Sequence, residues 1–323
     1  MSGIDLLAER IGTIPAMLTM AVAIPLPDGI ERLAAMDRVV VTGGGMSEGP
    51  ARVLVALLLR AGRHATFVSQ SRFVDWPEPP APRTALVLFS QGLAPNARLP
   101  LPYARGFGTS LLVTSVSEAG GVAMVWTLPP ACEDRLLLRV VGPSVALCAA
   151  VRIAHAVTGR SEDLSVLPGV VARRLAEPAP DLFGASRRPL ALVVDDRLID
   201  VAMPLRWKLL EGLRVNDPPV WDVLQVAHGP LQSFYEHETT LLVVRGAPAR
   251  HAGLYDGLRS VLVPGRHRVV ELDATLEGDA AIVELDVALD AALLATLRHH
   301  PVTLDDWPSR GLDGPLYDVR PKT

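Results

Sequence analysis

The feature that most constrains this chain is a short, continuously apolar run that recurs, each time followed by a turn of Gly, Ser or Pro and then by helical periodicity. In the first half the runs are RVVVTGGG (38–45), HATFVS (64–69), TALVLFS (84–90), TSLLVTSV (109–116) and VAMVWTL (122–128). Strands that are apolar throughout and alternate with helices are typical of a parallel sheet covered on both faces. The first half therefore predicts an α/β unit, closed by a long apolar helix over 143–160.

The same pattern restarts after a segment rich in Pro, Gly and charge. Its runs, all predicted as strands, are PLALVVDD (189–196), TTLLVVRG (239–246), HRVVELDA (267–274) and AAIVELD (280–286). We predict an N-terminal helical segment (1–37), a first domain (38–176), a linker (177–188), a second domain (189–304) and a C-terminal tail (305–323). A tandem of this kind is expected to bind its ligand at the carboxyl ends of the strands.

Charge and cysteine content exclude several classes of function. The formal net charge of −4 and the pI near 6.1 give no electrostatic basis for binding nucleic acid. Cys132 and Cys148 lack metal-ligand spacing, which fits a reducing cytoplasm and predicts no metal site. Asp5, Glu9 and Arg10 interrupt the N-terminus, so neither a signal peptide nor a membrane span is expected.

Two turns carry groups that suit an anion. In TGGGMSEGPA (42–51), Gly45 and its neighbouring glycines allow close backbone approach, and Ser47 stands near the start of the next helix. In SQGLAPNAR (90–98), Ser90 and Gln91 offer a hydroxyl and an amide, and Asn96 a further amide. The first turn lacks the Lys-Ser/Thr ending of a nucleotide P-loop. Each turn is equally compatible with an ordinary strand-to-helix connection.

A third stretch carries acid–base groups. Glu211 lies on a helix whose other positions are mostly apolar, and His228 follows in a loop. A half-buried carboxylate with a histidine can move a proton between two carbons and open a sugar ring. The alternative interpretation is a surface glutamate and a histidine that caps a turn.

Taken together, the doubled unit, the Gly-rich turn, SQG (90–92), KLLEG (208–212) and HGPL (228–231) resemble the sugar isomerase (SIS) family. The resemblance is to double-SIS proteins such as the isomerase half of glucosamine-6-phosphate synthase and related phosphosugar isomerases and deglycases. It extends to about residue 314 and includes DDWPSRGLDGP (305–315).

The resemblance implies two flavodoxin-like SIS domains in tandem, a homodimer with a site near the interface, and no cofactor. Ser47, Ser90 and Gln91 match positions that hold the phosphate of the sugar. Glu211 matches the base that moves a proton between C1 and C2 through an enediol, with Lys208 in the same Lys-Leu-x-Glu run. His228 matches the histidine that assists ring opening.

The chain also departs from the family pattern. Gly92 and Pro95 stand where the phosphate turn has a serine and a threonine, so two hydroxyls are missing. The second domain has DDR (195–197) in place of Gly-Arg-Gly, which would repel an anion. The terminal lysine of the family falls at Asp313 or Gly314, with Lys322 nearby.

Two classes of function remain open at this point. The first is a cofactor-free isomerase or deglycase acting on a phosphosugar or an amino sugar phosphate. The alternative is a non-catalytic SIS module that binds a sugar phosphate or another polar metabolite, or divergent chemistry on an unphosphorylated substrate.

Overall fold

The structure is a computed structural model that describes residues 1–76, 82–116, 120–131, 133–195, 198–200, 202–247, 252–312 and 314–317. Within these residues the strands form two parallel sheets, one of five strands and one of four. The strands are Arg38–Gly43 (β1), His64–Phe67 (β2), Thr84–Phe89 (β3), Thr109–Thr114 (β4), Met124–Thr127 (β5), Leu190–Val194 (β6), Val220–Asp222 (β7), Thr239–Ala247 (β8) and His267–Glu277 (β9). Two α/β sheets with helices around them confirm the predicted fold class.

The α-helices connect and cover these strands. They are Gly3–Ala23 (α1), Glu31–Ala34 (α2), Glu48–Arg60 (α3), Val141–Thr158 (α4), Leu167–Ala176 (α5), Ala202–Leu213 (α6), Pro230–Phe234 (α7), Ala252–Val261 (α8), Ala280–His299 (α9) and Gly314–Tyr317 (α10). Helix α3 shows how local sequence sets the bounds, since Glu48 lies in its first turn and Arg60 in its last. Gly62 follows with φ +74°, a left-handed conformation that suits a helix end.

The first sheet has the strand order β2-β1-β3-β4-β5. All six residues of β3 and of β4 are buried, as the continuous apolar runs predict for strands covered on both faces. In the pairing of β1 with β3, Gly43 lies opposite Phe89, so both strands end at the same level of the sheet. Each fully buried Val or Leu of these strands contributes roughly 1.5–3 kcal/mol to folding.

The second sheet has the order β7-β6-β8-β9. Strand β6 is buried throughout, and its Leu192 pairs with Val220 of β7 on one side and with Leu242 of β8 on the other. Helix α9 packs against β9 and against α5 and α6, so it forms the largest helical part of this core.

The contacts divide the chain into two compact units that interleave along the sequence. The first-sheet unit comprises Ala16–Asp134, Val141–Ser165 and Asp306–Thr323. The second-sheet unit comprises Met1–Pro15, Arg135–Val140 and Val166–Asp305. The boundaries drawn from the sequence run consecutively along the chain and stay a prediction.

Several local predictions need correction. The run AAIVELD (280–286) is not a strand but the start of α9. The three-residue strand β7 was not predicted, because so short a run after Asp217-Pro218-Pro219 has no periodicity to detect. The helix expected after SQG is two 3₁₀ segments, Pro95–Arg98 and Leu101–Gly106.

Among the residues that the structure describes, two helices, α1 and α4, are long and apolar enough to cross a membrane by length and composition. Two-thirds of the apolar window of α4 is buried inside the protein, where α4 packs against α3 and α2. Such burial is typical of a core helix. Helix α1 lies near the N-terminus, and the charges of Asp5, Glu9 and Arg10 fall within it.

Candidate functional site

The strand order of the first sheet creates a crevice between β1 and β3. The chain leaves β1 toward β2 on one side and leaves β3 toward β4 on the other, so the two connections diverge. In doubly wound sheets ligands bind at such a switch point, outside the carboxyl ends of the strands. The Gly-rich turn and the Ser90 turn are the two connections that flank it.

A small pocket lies at this carboxyl edge. Ser47, Ser90 and Gln91 line it together, so the structure brings three of the predicted ligand residues to one place. The remaining lining residues are Met46, Phe89, Val113, Thr114, Ser115, Leu128, Pro129, Gly142, Pro143, Val145 and Ala146. Its cavity volume is about 20 Å³, which is room for about one water molecule.

The turn after β3 is fixed by its own hydrogen bonds. The Ser90 Oγ accepts a hydrogen bond from the Leu93 amide at 3.1 Å, and Leu93 has φ +49°. The Gln91 carbonyl accepts hydrogen bonds from the Thr114 hydroxyl at 3.2 Å and from the Ser115 amide at 3.0 Å. These contacts attach the turn to the end of β4 and orient the Ser90 and Gln91 side chains toward the pocket.

The Gln91 side chain lies across the N-terminus of α4. Its Nε2 is 3.3 Å from Glu133 Oε2, to which it donates, and it approaches the Ala131 carbonyl at 3.5 Å. A Cβ at Gly142 would come within 2.5 Å of the Gln91 amide group, so a larger residue at position 142 would displace this side chain from its present position. Glu133 in turn accepts hydrogen bonds from the backbone amides of Val141 and Gly142, both at 2.9 Å.

The turn after β1 is held by close backbone packing. A Cβ at Gly43 would lie 2.3 Å from the Ser47 carbonyl oxygen, so this position requires glycine. Gly45 has φ +54° and is exposed. Ser47 precedes α3, is half-buried, and its side chain makes no capping hydrogen bond. Gly45 itself does not line the pocket.

Asn96 is also absent from the pocket lining. It lies half-buried in the 3₁₀ segment Pro95–Arg98, where its carbonyl accepts a hydrogen bond from the Leu99 amide. A role for Asn96 or Gly45 in ligand binding therefore stays a prediction that the pocket does not support directly.

The second-sheet unit holds the predicted acid–base residues. Lys208, on α6, is 0 % exposed, and its Nζ lies 2.8 Å from Asp286 and 2.7 Å from Asp290, both on α9 and both 0 % exposed. Burial lowers the pKa of the Lys208 ammonium, but the two carboxylates outweigh it, so the pKa is raised overall. This ion cluster holds α6 against α9 and leaves no exposed surface on the Lys208 side chain, so a catalytic role for Lys208 stays a prediction.

Glu211 follows Lys208 by one turn near the end of α6 and is half-buried. His228 is exposed in the turn between the 3₁₀ segment Gln225–Ala227 and α7. The proton-transfer and ring-opening roles of these two side chains stay predictions. Two of the predictions fall on residues that lie outside the described ones. They concern the turn of the second domain, at 196–197, and the terminal lysine, at 313 and 322.

Sequence reasoning did not find Glu133, Thr114 and Ser115. Thr114 is the last residue of β4 and Ser115 follows it, so both belong to the same carboxyl edge as Ser90 and strand order alone would have indicated them. Glu133 lies in the connection before α4 and is 1 % exposed. No local pattern marks it, because its contacts are made eight and nine residues further along the chain.

Comparison with known proteins identifies the fold. No protein-family model and no curated protein sequence matches the chain. Solved structures match nearly its whole length. The chain shares the fold of sugar isomerase proteins.

Three of these structures illustrate the match. A candidate phosphosugar isomerase from Silicibacter pomeroyi has a TM-score of 0.76 at 16% identity, covering 93% of this chain and 99% of the other. The C-terminal domain of glucosamine-fructose-6-phosphate aminotransferase from Francisella tularensis has a TM-score of 0.74 at 13% identity, covering 93% and 98%. Tagatose-6-phosphate ketose/aldose isomerase from Escherichia coli has a TM-score of 0.69 at 16% identity, covering 92% and 93%.

Proposed function

We propose that this protein acts on a small sugar derivative by the proton-transfer chemistry of the sugar isomerases, with one polar end of the ligand in the pocket of the first sheet. The observation that carries the proposal is the convergence of Ser47, Ser90 and Gln91 from two different turns at the switch point. The fold supports it, since structures with this fold include a ketose/aldose isomerase.

In the proposed reaction no cofactor takes part. Glu211 removes a proton from the hydroxyl-bearing carbon next to the carbonyl, which leaves an enediolate. The proton of that carbon's hydroxyl passes to the former carbonyl oxygen through the enediol, and Glu211 returns its own proton to the former carbonyl carbon. Electrons and atoms balance within the substrate, so the reaction is an aldose–ketose isomerisation, or the first step of a deglycation. His228 assists opening of the sugar ring by proton transfer at the ring oxygen.

The test is the isosteric Glu211→Gln variant, assayed for interconversion of hexose and ketose derivatives and for ligand binding by calorimetry. Loss of a general base lowers turnover about 10²–10⁴-fold. Binding should change little, because the substitution preserves shape. The matched control is Glu236→Gln, which removes an exposed carboxylate of the same unit. Turnover by Glu211→Gln at the wild-type rate would refute the assignment.

A second candidate is binding without turnover, as in a sensor of a sugar derivative. The burial of Lys208 between Asp286 and Asp290 favours it, because the ammonium of the Lys-Leu-x-Glu run is already paired with two carboxylates of the protein itself. A thermal-shift screen with hexoses, hexose phosphates and amino-hexose phosphates, paired with a turnover assay, separates the two. A ligand that raises the melting temperature while no tested ligand is converted to product supports binding without turnover.

The quaternary structure and location follow from the same family resemblance. We propose a homodimer in the cytoplasm with the ligand site near the subunit interface. Light scattering coupled to size-exclusion chromatography tests the dimer, since a monomer at micromolar concentration contradicts it.

A further inference from the structure

The N-terminus of α4 already holds an anion that belongs to the chain. The Glu133 carboxylate, 1 % exposed, accepts hydrogen bonds at 2.9 Å from both the Val141 and the Gly142 amides. Helix α4 has 18 residues, so its N-terminal amides present a substantial positive dipole end. Backbone amides at such a helix start are the groups that bind phosphate in many proteins.

The same carboxylate also engages a side chain of the pocket. Gln91 Nε2 donates to Glu133 Oε2 at 3.3 Å. Gln91 was predicted from the sequence to help hold a phosphate, and its amide donor is directed instead at this internal carboxylate. Three donors that could serve a phosphate are thus committed to Glu133.

The lining of the pocket carries no cationic side chain. Its lining residues, all of which the structure describes, include no Lys, Arg or His. Two of them, Gln91 and Gly142, contact Glu133 directly, so a group in the pocket lies within a few ångströms of its negative charge. Like charges at that separation repel strongly where the surroundings are largely buried.

We infer that Glu133 is a specificity-determining residue, and that the end of the ligand that enters the pocket is an uncharged hydroxylated group rather than a phosphate. The hydroxyls of Ser47 and Ser90 are suited to such a group, because each can both donate and accept. The inference deepens the proposed function, and it rests on that function for the assumption that a ligand enters here.

The first test uses the wild-type protein. Isothermal titration calorimetry compares a hexose with its 6-phosphate, and phosphorus NMR line broadening follows inorganic phosphate. We expect no binding of inorganic phosphate in the millimolar range, and a hexose 6-phosphate that binds no tighter than the hexose. A phosphosugar that binds about tenfold or more tightly than its parent sugar overturns the inference.

The second test removes the charge while keeping the shape. In Glu133→Gln, inorganic phosphate should bind at least about tenfold more tightly than in the wild type, because a like charge is gone. Asp134→Asn, which removes the exposed carboxylate next along the chain, should leave phosphate binding at the wild-type level. Adding Ser90→Ala to Glu133→Gln should abolish the gain, which would show that the phosphate binds beside Ser90, at the mouth of the pocket.

These outcomes separate the inference from the proposed function. If Glu133→Gln gains phosphate binding while no sugar is bound or converted, the inference stands and the proposed function fails. If the wild type converts a phosphosugar and Glu133→Gln binds phosphate no better, the inference fails and the proposed function stands. Circular dichroism and the melting temperature establish whether each variant is folded. If a variant does not fold, the comparison of hexose and hexose 6-phosphate binding by the wild-type protein tests the inference.

Discussion

Replacing Lys208 by methionine removes the ammonium that Asp286 and Asp290 share inside the second-sheet unit. All three side chains are fully buried, and the Nζ-to-carboxylate distances are 2.8 and 2.7 Å. Removing one partner from a buried ion pair costs about 3–5 kcal/mol, because the opposite charge stays in a medium of low polarity. For a unit of this size that corresponds to a fall in melting temperature of about 6 to 20 °C.

The assay is urea unfolding followed by circular dichroism, with hydrogen exchange to locate the loss in α6 and α9. A compensated variant, Lys208→Met with Asp286→Leu and Asp290→Leu, should recover most of the stability, since it removes the two buried negative charges as well as the ammonium. If Lys208→Met unfolds within about 1 kcal/mol of the wild type, the cluster does not stabilise the fold and the reasoning fails.

The pH dependence has a defined sign. The pKa of Lys208 is raised above its ordinary 10.5 in the folded protein, because the two carboxylates outweigh the cost of burial. Its contribution is therefore fully present below pH 10.5 and is lost as the pH rises through the higher folded value. The stability difference between wild type and Lys208→Met should stay constant from about pH 6 to 9 and shrink only in strong alkali.

Two further perturbations test the first-sheet unit. Gly43→Ala places a Cβ 2.3 Å from the Ser47 carbonyl oxygen and should lower the free energy of unfolding in urea by about 1–3 kcal/mol. The control Gly12→Ala, whose Cβ would have no atom within 4 Å, should not lower it. Equal stability of the two variants would contradict the packing argument. Burial raises the pKa of the Cys148 thiol to about 11. In a Cys132→Ser variant, Cys148 should therefore react with a disulfide reagent at pH 8 far more slowly than a free thiol does, and unfolding in urea should restore the fast reaction. Rapid labelling of the folded protein contradicts that burial.

The outcome for AAIVELD (280–286) shows where pattern reading fails. The alternation of apolar residues with Glu284 and Asp286 resembles a half-buried strand, in which the charges would face water. In the structure both carboxylates are fully buried on α9. Glu284 accepts hydrogen bonds from the Thr275 and Leu276 amides, and Asp286 pairs with Lys208, so tertiary partners satisfy charges that the sequence suggested were solvated.

The candidate site was likewise predictable from the sequence only in part. The turns that carry Ser47, Ser90 and Gln91 could be predicted, because each follows directly on an apolar strand and parallel strands end at one edge of the sheet. Their arrangement around one pocket is a structural fact, and their role with a ligand stays a proposal. The closing of that pocket by Gln91 over Gly142 could not be predicted, since the two residues are distant in sequence.

The sequence by itself determined the α/β plan, the two parallel sheets and most strand positions, because continuous apolar runs and glycine turns act through neighbours along the chain. Only the tertiary structure decided which charges are neutralised inside the protein. Lys208 lies 82 residues from Asp290, and Glu133 meets α4 across a connection that has no periodic pattern. Charged side chains pair with groups that are close in space, and a single sequence does not show which distant residues come close in the folded protein.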